Sequence, residues 1–285
     1  MPLGTMLEGT PFAHIRKVAL HFMGNFLSTA VEIACEAGTL LAERFKQPQE
    51  ITYKRRFDLV TEADRCSETL IVERLRRHFP QHAIVAEEGG GRRTDSDYCW
   101  YVDPLDGTTN FAHGYPVFCV TLGLAYRGKV VAGVVYDPTR EELYTVEHGS
   151  GAYLNGQRIQ VSKTEELSES LVATGFPPFA TNHDLNIKFY FRFTGLSHGI
   201  RRAGSAALDL CSVATGRFDG FWELKLNPWD KAAGSLLVAE AGGLVTDILG
   251  RPFNLLADDV FASNGLVHDQ MLGVFSDVMA QRATM

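Results

Sequence analysis

The segment Trp100-Tyr101-Val102-Asp103-Pro104-Leu105-Asp106-Gly107-Thr108-Thr109-Asn110-Phe111 carries the signals around which the rest of the chain can be arranged. Cys99 to Val102 reads as a strand, Asp103 closes it, Pro104 fixes the turn, and Gly107-Thr108-Thr109 opens a helix. Two carboxylates three residues apart and several backbone N–H groups thus converge at one turn. Carboxylates and a backbone carbonyl are the hard oxygen donors that Mg²⁺ favours, and a helix amino end suits phosphate. An Asp-rich turn with helix caps is the alternative at this point of the reading.

Working outward toward the amino end, Ala83 to Ala86 reads as a short buried strand that delivers Glu87-Glu88 at its carboxyl end. Before it, Thr61-Glu62-Ala63-Asp64 has the form of a helix start, Leu70, Ile71, Leu75 and Phe79 follow at helical spacing, and Pro80 ends the helix. Phe12 to Phe45 reads as one long helix or a broken pair. Toward the carboxyl end, Phe118 to Tyr126 and Val130 to Tyr136 form a hairpin around Arg127-Gly128-Lys129, with the incomplete alternation of strands covered on both faces. Strands at Leu143 to Val146 and Gly151 to Leu154 continue the meander, and Asn155-Gly156 is a two-residue hairpin turn.

Gly175 to Asn182 reads as an exposed connection. Beyond it, helices at Asp184 to Gly195, Ser205 to Thr215, Trp229 to Ala241 and Asp269 to Ala280 alternate with strands, which also include Leu171 to Thr174 just before it, at Gly220 to Glu223, Leu244 to Asp247 and Val260 to Ser263. The expected fold class is α/β (α+β), a layered sandwich with a largely antiparallel first sheet. Residues 1–11 are expected to form a loose terminus, 12–175 an N-terminal α+β lobe with most of the acidic turn residues, and 176–285 a C-terminal α/β lobe.

Composition narrows the function classes. The 285 residues are 45% hydrophobic and 21% charged, which excludes wholesale disorder. No apolar run approaches the roughly 18 residues of a membrane-spanning helix. Lys and Arg number 27 against 34 Asp and Glu, a formal charge of −7. Arg55-Arg56, Arg76-Arg77, Arg92-Arg93 and Arg201-Arg202 are scattered, so they read as solvated surface, and nucleic acid is not the expected partner. An acidic protein still binds an anionic substrate where a metal ion supplies the positive charge. The five cysteines are odd in number and form no Cys-x-x-Cys pair, the start shows no secretory signal, and a cytoplasmic location is therefore expected. No His-Glu-x-x-His zinc signature appears, since His78 and His82 flank Phe79-Pro80-Gln81 with no Glu between them; Gly149-Ser150-Gly151 lacks the setting of a nucleophile elbow, and Gly89-Gly90-Gly91 lacks the ending of a phosphate loop.

Further acidic positions sit at element ends: Asp58 before Leu59-Val60-Thr61, Glu87-Glu88, and Asp230 after Trp229. Each has a purely structural alternative, as a turn, a solvated neighbour or a first-turn helix charge. Together they suggest a metal cluster. Asp58-Leu59-Val60-Thr61-Glu62-Ala63-Asp64, Glu87-Glu88, the Asp103 to Phe111 segment, Gly199-Ile200-Arg201-Arg202-Ala203-Gly204-Ser205-Ala206-Ala207 and Trp229-Asp230-Lys231-Ala232-Ala233-Gly234 follow one another in an order that resembles the inositol monophosphatases.

The resemblance implies an αβαβα sandwich, a homodimer, and magnesium-dependent, lithium-sensitive hydrolysis of a small phosphorylated polyol. It implies one Mg²⁺ on Glu87, Asp103 and the Leu105 carbonyl, a second on Asp103, Asp106 and Asp230, and a third, weaker one near Glu87. Water attacks phosphorus directly, activated by the metal and Thr108, with Glu87 beside it and Asp58 orienting the Thr108 hydroxyl. Phosphate lies on the Gly107 and Thr108 amides, and a water near Asp230 protonates the leaving alcohol. Substrate hydroxyls meet Asp106, Asp230, Glu223 and the backbone around Gly204, Ser205 and Ala206. Lys54 is either an added positive charge or a surface lysine, and His113 either reaches substrate or is a surface histidine. Histidinol phosphate, fructose 1,6-bisphosphate and 3′-phosphoadenosine nucleotides are the rival substrates on the same scaffold. A regulatory partner of RNA or the transcription machinery is the rival of another class.

Overall fold

The computed structural model describes residues 25–45, 47, 51–55, 58–91, 94–176 and 183–283. Helix α1 (Asn25–Phe45) places Leu27, Ala30, Val31, Ala34, Ala37 and Leu41 on one face, and α2 (Glu62–His78) does the same with Ala63, Ile71 and Leu75. Both helices cover one side of a seven-stranded sheet in which β3 (Ala83–Ala86), β4 (Tyr98–Asp106), β5 (Cys119–Tyr126), β6 (Lys129–Asp137), β7 (Glu142–Glu147), β8 (Gly151–Leu154) and β9 (Gln157–Arg158) lie in sequence order. Only the β3–β4 pair is parallel; the rest is an antiparallel meander.

Alternation along β6 explains why its sequence shows so little polarity. Val134 and Tyr136 face α1, while Val135 belongs to the core on the opposite side. That second core is built by α5 (Ala206–Ala214) and α6 (Pro228–Glu240), which are buried almost all round because each lies between two sheets. The second sheet has the order β11 (Gly199–Arg201), β10 (Leu171–Thr174), β12 (Gly220–Glu223), β14 (Val260–Ser263), β13 (Leu244–Thr246), with β10 parallel to both neighbours and the remaining pairs antiparallel. Phe221 and Ala262 face the middle helices. Trp222 and Phe261 face the outer pair, α4 (His183–Thr194) and α7 (His268–Ala283), where Phe193 stacks on Trp222. The layers therefore run helix, sheet, helix, sheet, helix.

The structure adds to the sequence reading the antiparallel pair β1 (Ile51–Arg55) and β2 (Asp58–Thr61), the short β11, the two-residue β9 after the Asn155-Gly156 turn and a 3-10 turn at Leu167–Glu169. Residues 1–24, which include the expected loose terminus and the first half of the expected long helix, lie outside the described residues, as do 177–182 of the expected connection. Among the described residues no helix is long and apolar enough to cross a membrane.

Candidate active site

Parallel pairing of β3 with β4 sets Ala86 beside Val102, and the Glu87 N–H continues the ladder by donating to the Val102 carbonyl at 3.2 Å. Glu87 therefore leaves its strand next to Asp103, with which it shares a side-chain hydrogen bond. Between Asp103 and Asp106 the register of β4 against β5 slips, and the residue at the slip that lacks an N–H is Pro104. The Asp103 carboxylate caps this kink, accepting from the Leu105 N–H at 3.0 Å. Gly107 follows at φ 97°, where an added Cβ would stand 2.7 Å from the Val117 carbonyl oxygen; only glycine makes this turn into α3 (Thr108–Ala112) without a clash.

Two helix starts close the site from the other side. Asp106 Oδ2 accepts from the Ser205 hydroxyl at 2.7 Å and from the Ala207 N–H at 2.8 Å, so the amino end of α5 is docked on this carboxylate. The docking brings Gly204, Ser205 and Ala206 to the site, with Gly204 at φ 87°. Asp230 sits in the first turn of α6 behind Pro228 and accepts from the Asn227 N–H at 2.7 Å. The Ala207 N–H thus bridges a separation of 101 residues to reach Asp106, whereas the Asn227 N–H holds Asp230 within its own helix start.

The Thr108 hydroxyl lies 2.9 Å from Asp64 Oδ1 and 3.0 Å from the Leu105 carbonyl oxygen. Among the described residues its carboxylate partner is Asp64, in the place where Asp58 was expected. The other Asp64 oxygen accepts from both the N–H and the hydroxyl of Thr61, so the helix-start signal and the site share one side chain. Asp58 begins β2, and its side chain, like that of Lys54, lies outside the described residues. His113 is exposed at the end of α3.

The charges of this cluster explain its chemistry. Desolvation, followed by the neighbouring charges of Glu87, Asp106 and Asp230, pushes the Asp103 carboxyl well above the usual carboxylate range. Desolvation raises Asp106 to about 6, against the opposing bonds from Ser205 and Ala207, and Asp230 is raised by desolvation and then by Glu87 and Asp106. Four acidic side chains that mutually disfavour ionisation are relieved by a cation among them, and with the Leu105 carbonyl they form an all-oxygen donor set. Among the described residues no three His, Cys, Asp or Glu side chains stand together in a ready metal-holding arrangement. An all-oxygen donor set of this kind would suit a hard divalent ion that keeps several of its waters.

Glu223 ends β12 and is buried; its carboxylate lies so close to Gly175 that no Cβ fits there. Desolvation raises the Glu223 carboxyl, Asp209 and Asp106 add to the effect, and the Arg202 guanidinium opposes it. Sequence reasoning missed Asp64, Ser67 and Glu68 on α2, and Asp209 on α5. The burial of all four makes them unusual acidic and polar residues, and the i, i+3, i+4 spacing of the first three was a usable signal.

Comparisons with known proteins match most of the chain. The model of the inositol monophosphatase family matches residues 23–280. An inositol-1-monophosphatase of Synechocystis sp. is 46% identical over 257 residues, covering 88% of this chain and 90% of that protein. The Nus factor SuhB of Escherichia coli is 42% identical over 265 residues, covering 90% and 98%. The solved structure of a Thermotoga maritima IMPase superposes with a TM-score of 0.84 at 38% identity, covering 90% of this chain and 99% of that one. This chain belongs to the inositol monophosphatase family.

Proposed function

We propose that the chain hydrolyses a small phosphate monoester of a polyol, inositol 1-phosphate foremost, with Mg²⁺ as cofactor. The observation that supports this reading best is the meeting of Glu87, Asp103, Asp106 and Asp230 around the β4 kink, beside a threonine hydroxyl held by a buried carboxylate. Glu87, Asp103 and the Leu105 carbonyl would hold one ion, and Asp103, Asp106 and Asp230 a second. Bound Mg²⁺ supplies positive charge for the phosphate and makes water a better nucleophile at neutral pH.

The chain's own residues do the rest. The Thr108 proton is directed at Asp64 and the Leu105 carbonyl, so the hydroxyl oxygen presents its lone pairs and accepts a hydrogen bond from the attacking water. Glu87 flanks that water, and the Gly107 and Thr108 amides at the start of α3 receive phosphate oxygens. Glu223 and the Gly204 to Ala206 backbone face the alcohol portion, and Asp230 holds the water that returns a proton to the departing oxygen. Histidinol phosphate, sugar bisphosphates and 3′-phosphoadenosine nucleotides remain the rival substrates, because the acidic cluster is indifferent to the alcohol. A homodimer and inhibition by Li⁺ belong to the same reading.

Phosphate release across a panel of polyol, sugar and nucleotide monophosphates tests it. Turnover of inositol 1-phosphate is expected with Mg²⁺, its loss on chelation, and its abolition in a folded Asp103→Asn variant. No release from any member of the panel would reject the proposal. The 42% identity to relatives named Nus factors supports a second reading, association with the transcription machinery. Co-sedimentation of the purified chain with purified RNA polymerase and Nus factors tests it, and an unshifted chain would reject it.

A further inference from the structure

Helix α2 carries three polar side chains on its buried face, and each one grips a different segment of the site. Asp64 accepts from Thr108, the Ser67 hydroxyl donates to the Pro104 carbonyl at 2.8 Å, and Glu68 reaches the turn that follows β3. The last of these contacts is the most elaborate. Glu68 is 4% exposed, its Oε2 accepts from the Glu88 N–H at 2.6 Å, and its Oε1 accepts from the Gly90 N–H at 2.7 Å. Both oxygens of one carboxyl group are thus spent on a four-residue turn whose first member is Glu87.

From this arrangement we infer that Glu68 is a positioning residue for Glu87, setting the affinity of the acidic cluster for its divalent ion. The inference rests on the metal role proposed above for Glu87 and deepens it. A turn on the surface, rich in glycine at 89–91, has many backbone conformations available, and few of them aim the Glu87 carboxylate at Asp103. The buried carboxyl on a rigid helix selects one of them. Gly90 completes the fit, because an added Cβ would stand 2.6 Å from Glu68 Oε1, so the turn can close on the carboxyl only without a side chain there. Partners that hydrogen-bond a metal ligand directly change metal affinity by roughly 10–100-fold when removed; Glu68 acts through the N–H groups of Glu88 and Gly90 in the same turn, which places its effect near the lower end of that range.

The test compares Glu68→Gln with Gly90→Ala. The first turns one acceptor into a donor facing an N–H; the second leaves the acid intact and pushes the turn away from it. Gly90 is not at positive φ, so alanine adds no backbone strain of its own. Mn²⁺ binding to the purified full chain, followed by calorimetry and by electron paramagnetic resonance of free Mn²⁺, gives a readout independent of turnover. Thr69→Ala, on the opposite face of α2, is the control for a general effect on the helix. Both test variants are expected to weaken Mn²⁺ binding by about 10-fold or more, and to raise the Mg²⁺ concentration for half-activation while leaving kcat at saturating Mg²⁺ within about 3-fold. Should Glu68→Gln fail to fold, Gly90→Ala alone decides. Parent-like binding in the folded variants would overturn the positioning role and leave the metal site standing. A parent chain that binds no Mn²⁺ would overturn both.

Discussion

Asp64 serves two masters: its Oδ2 holds the first turn of α2 through Thr61, and its Oδ1 holds the Thr108 hydroxyl. Desolvation raises its carboxyl while these same hydrogen bonds pull it back. Asp64→Asn keeps the shape of the side chain but has one acceptor oxygen for the work of two. It is expected to cost about 1 kcal/mol of stability through the weakened helix start, and to lower kcat by up to about 100-fold with little change in KM. Thr108→Ala should match it in kcat. The double variant should be no slower than either single one, because both remove the same alignment of water. Fully multiplicative losses would separate the two residues, and a larger loss from Asp58→Asn would return the role to Asp58. The sequence shows why this assignment was missed. Glu87, Asp103, Asp106 and Asp230 stand at ends of elements and announce themselves one at a time. Asp64 has a complete local explanation as a helix-start residue three positions from Thr61, and its second partner lies 44 positions away.

Helix α6 can present Asp230 to the site only because the strands beneath it have given up their side chains. An added Cβ on Gly123 would lie 2.5 Å from the Ala232 Cβ, and one on Gly133 would lie 2.8 Å from the Ala233 Cα. Gly133→Ala must push on backbone, so it is expected to destabilise by about 1–3 kcal/mol and to lower turnover as Asp230 moves with its helix. Gly273 in α7 has nothing within 4 Å of an added Cβ, and Gly273→Ala should instead raise stability by up to about 1 kcal/mol. Thermal melts of the two variants with phosphate release decide; shifts of the same sign and size, or shifts of the reverse signs, would refute the packing argument. Elements of this kind were legible where period and punctuation agree, as in the β5–β6 hairpin or the Pro228 start of α6. The β1–β2 pair was not, because the charged Lys54-Arg55-Arg56 run carries no turn glycine. Nor was β11, whose three residues are extended only by pairing with β10.

The chain as a whole depends on polar groups buried between its layers, and His268 shows how pH acts on them. It begins α7 with its ring stacked on Phe261, Nε2 paired with the Thr246 hydroxyl and Nδ1 with the Ser263 hydroxyl, so two strands of the second sheet and one outer helix meet on one imidazole. Burial lowers its pKa to about 4, with only a small opposing pull from Asp269. A histidine with a depressed folded-state pKa contributes its stability above the unfolded value near 6.5, and that contribution is lost as pH falls toward 4. Asp209 and Glu223 act in the opposite sense, because their raised carboxyls favour the fold at low pH and oppose it as pH rises. The parent's acid stability is therefore a sum of opposing trends, and only a difference isolates the histidine. His268→Gln keeps a polar group between the two hydroxyls but does not titrate. The gap in melting temperature between parent and variant is expected to be widest at pH 7 and to close by several degrees on going to pH 4, corresponding to about 1–3 kcal/mol. Melting curves that fall in parallel over this range would show that His268 titrates alike in the folded and the unfolded chain, and would refute its role as a neutral bridge between the second sheet and its outer helix.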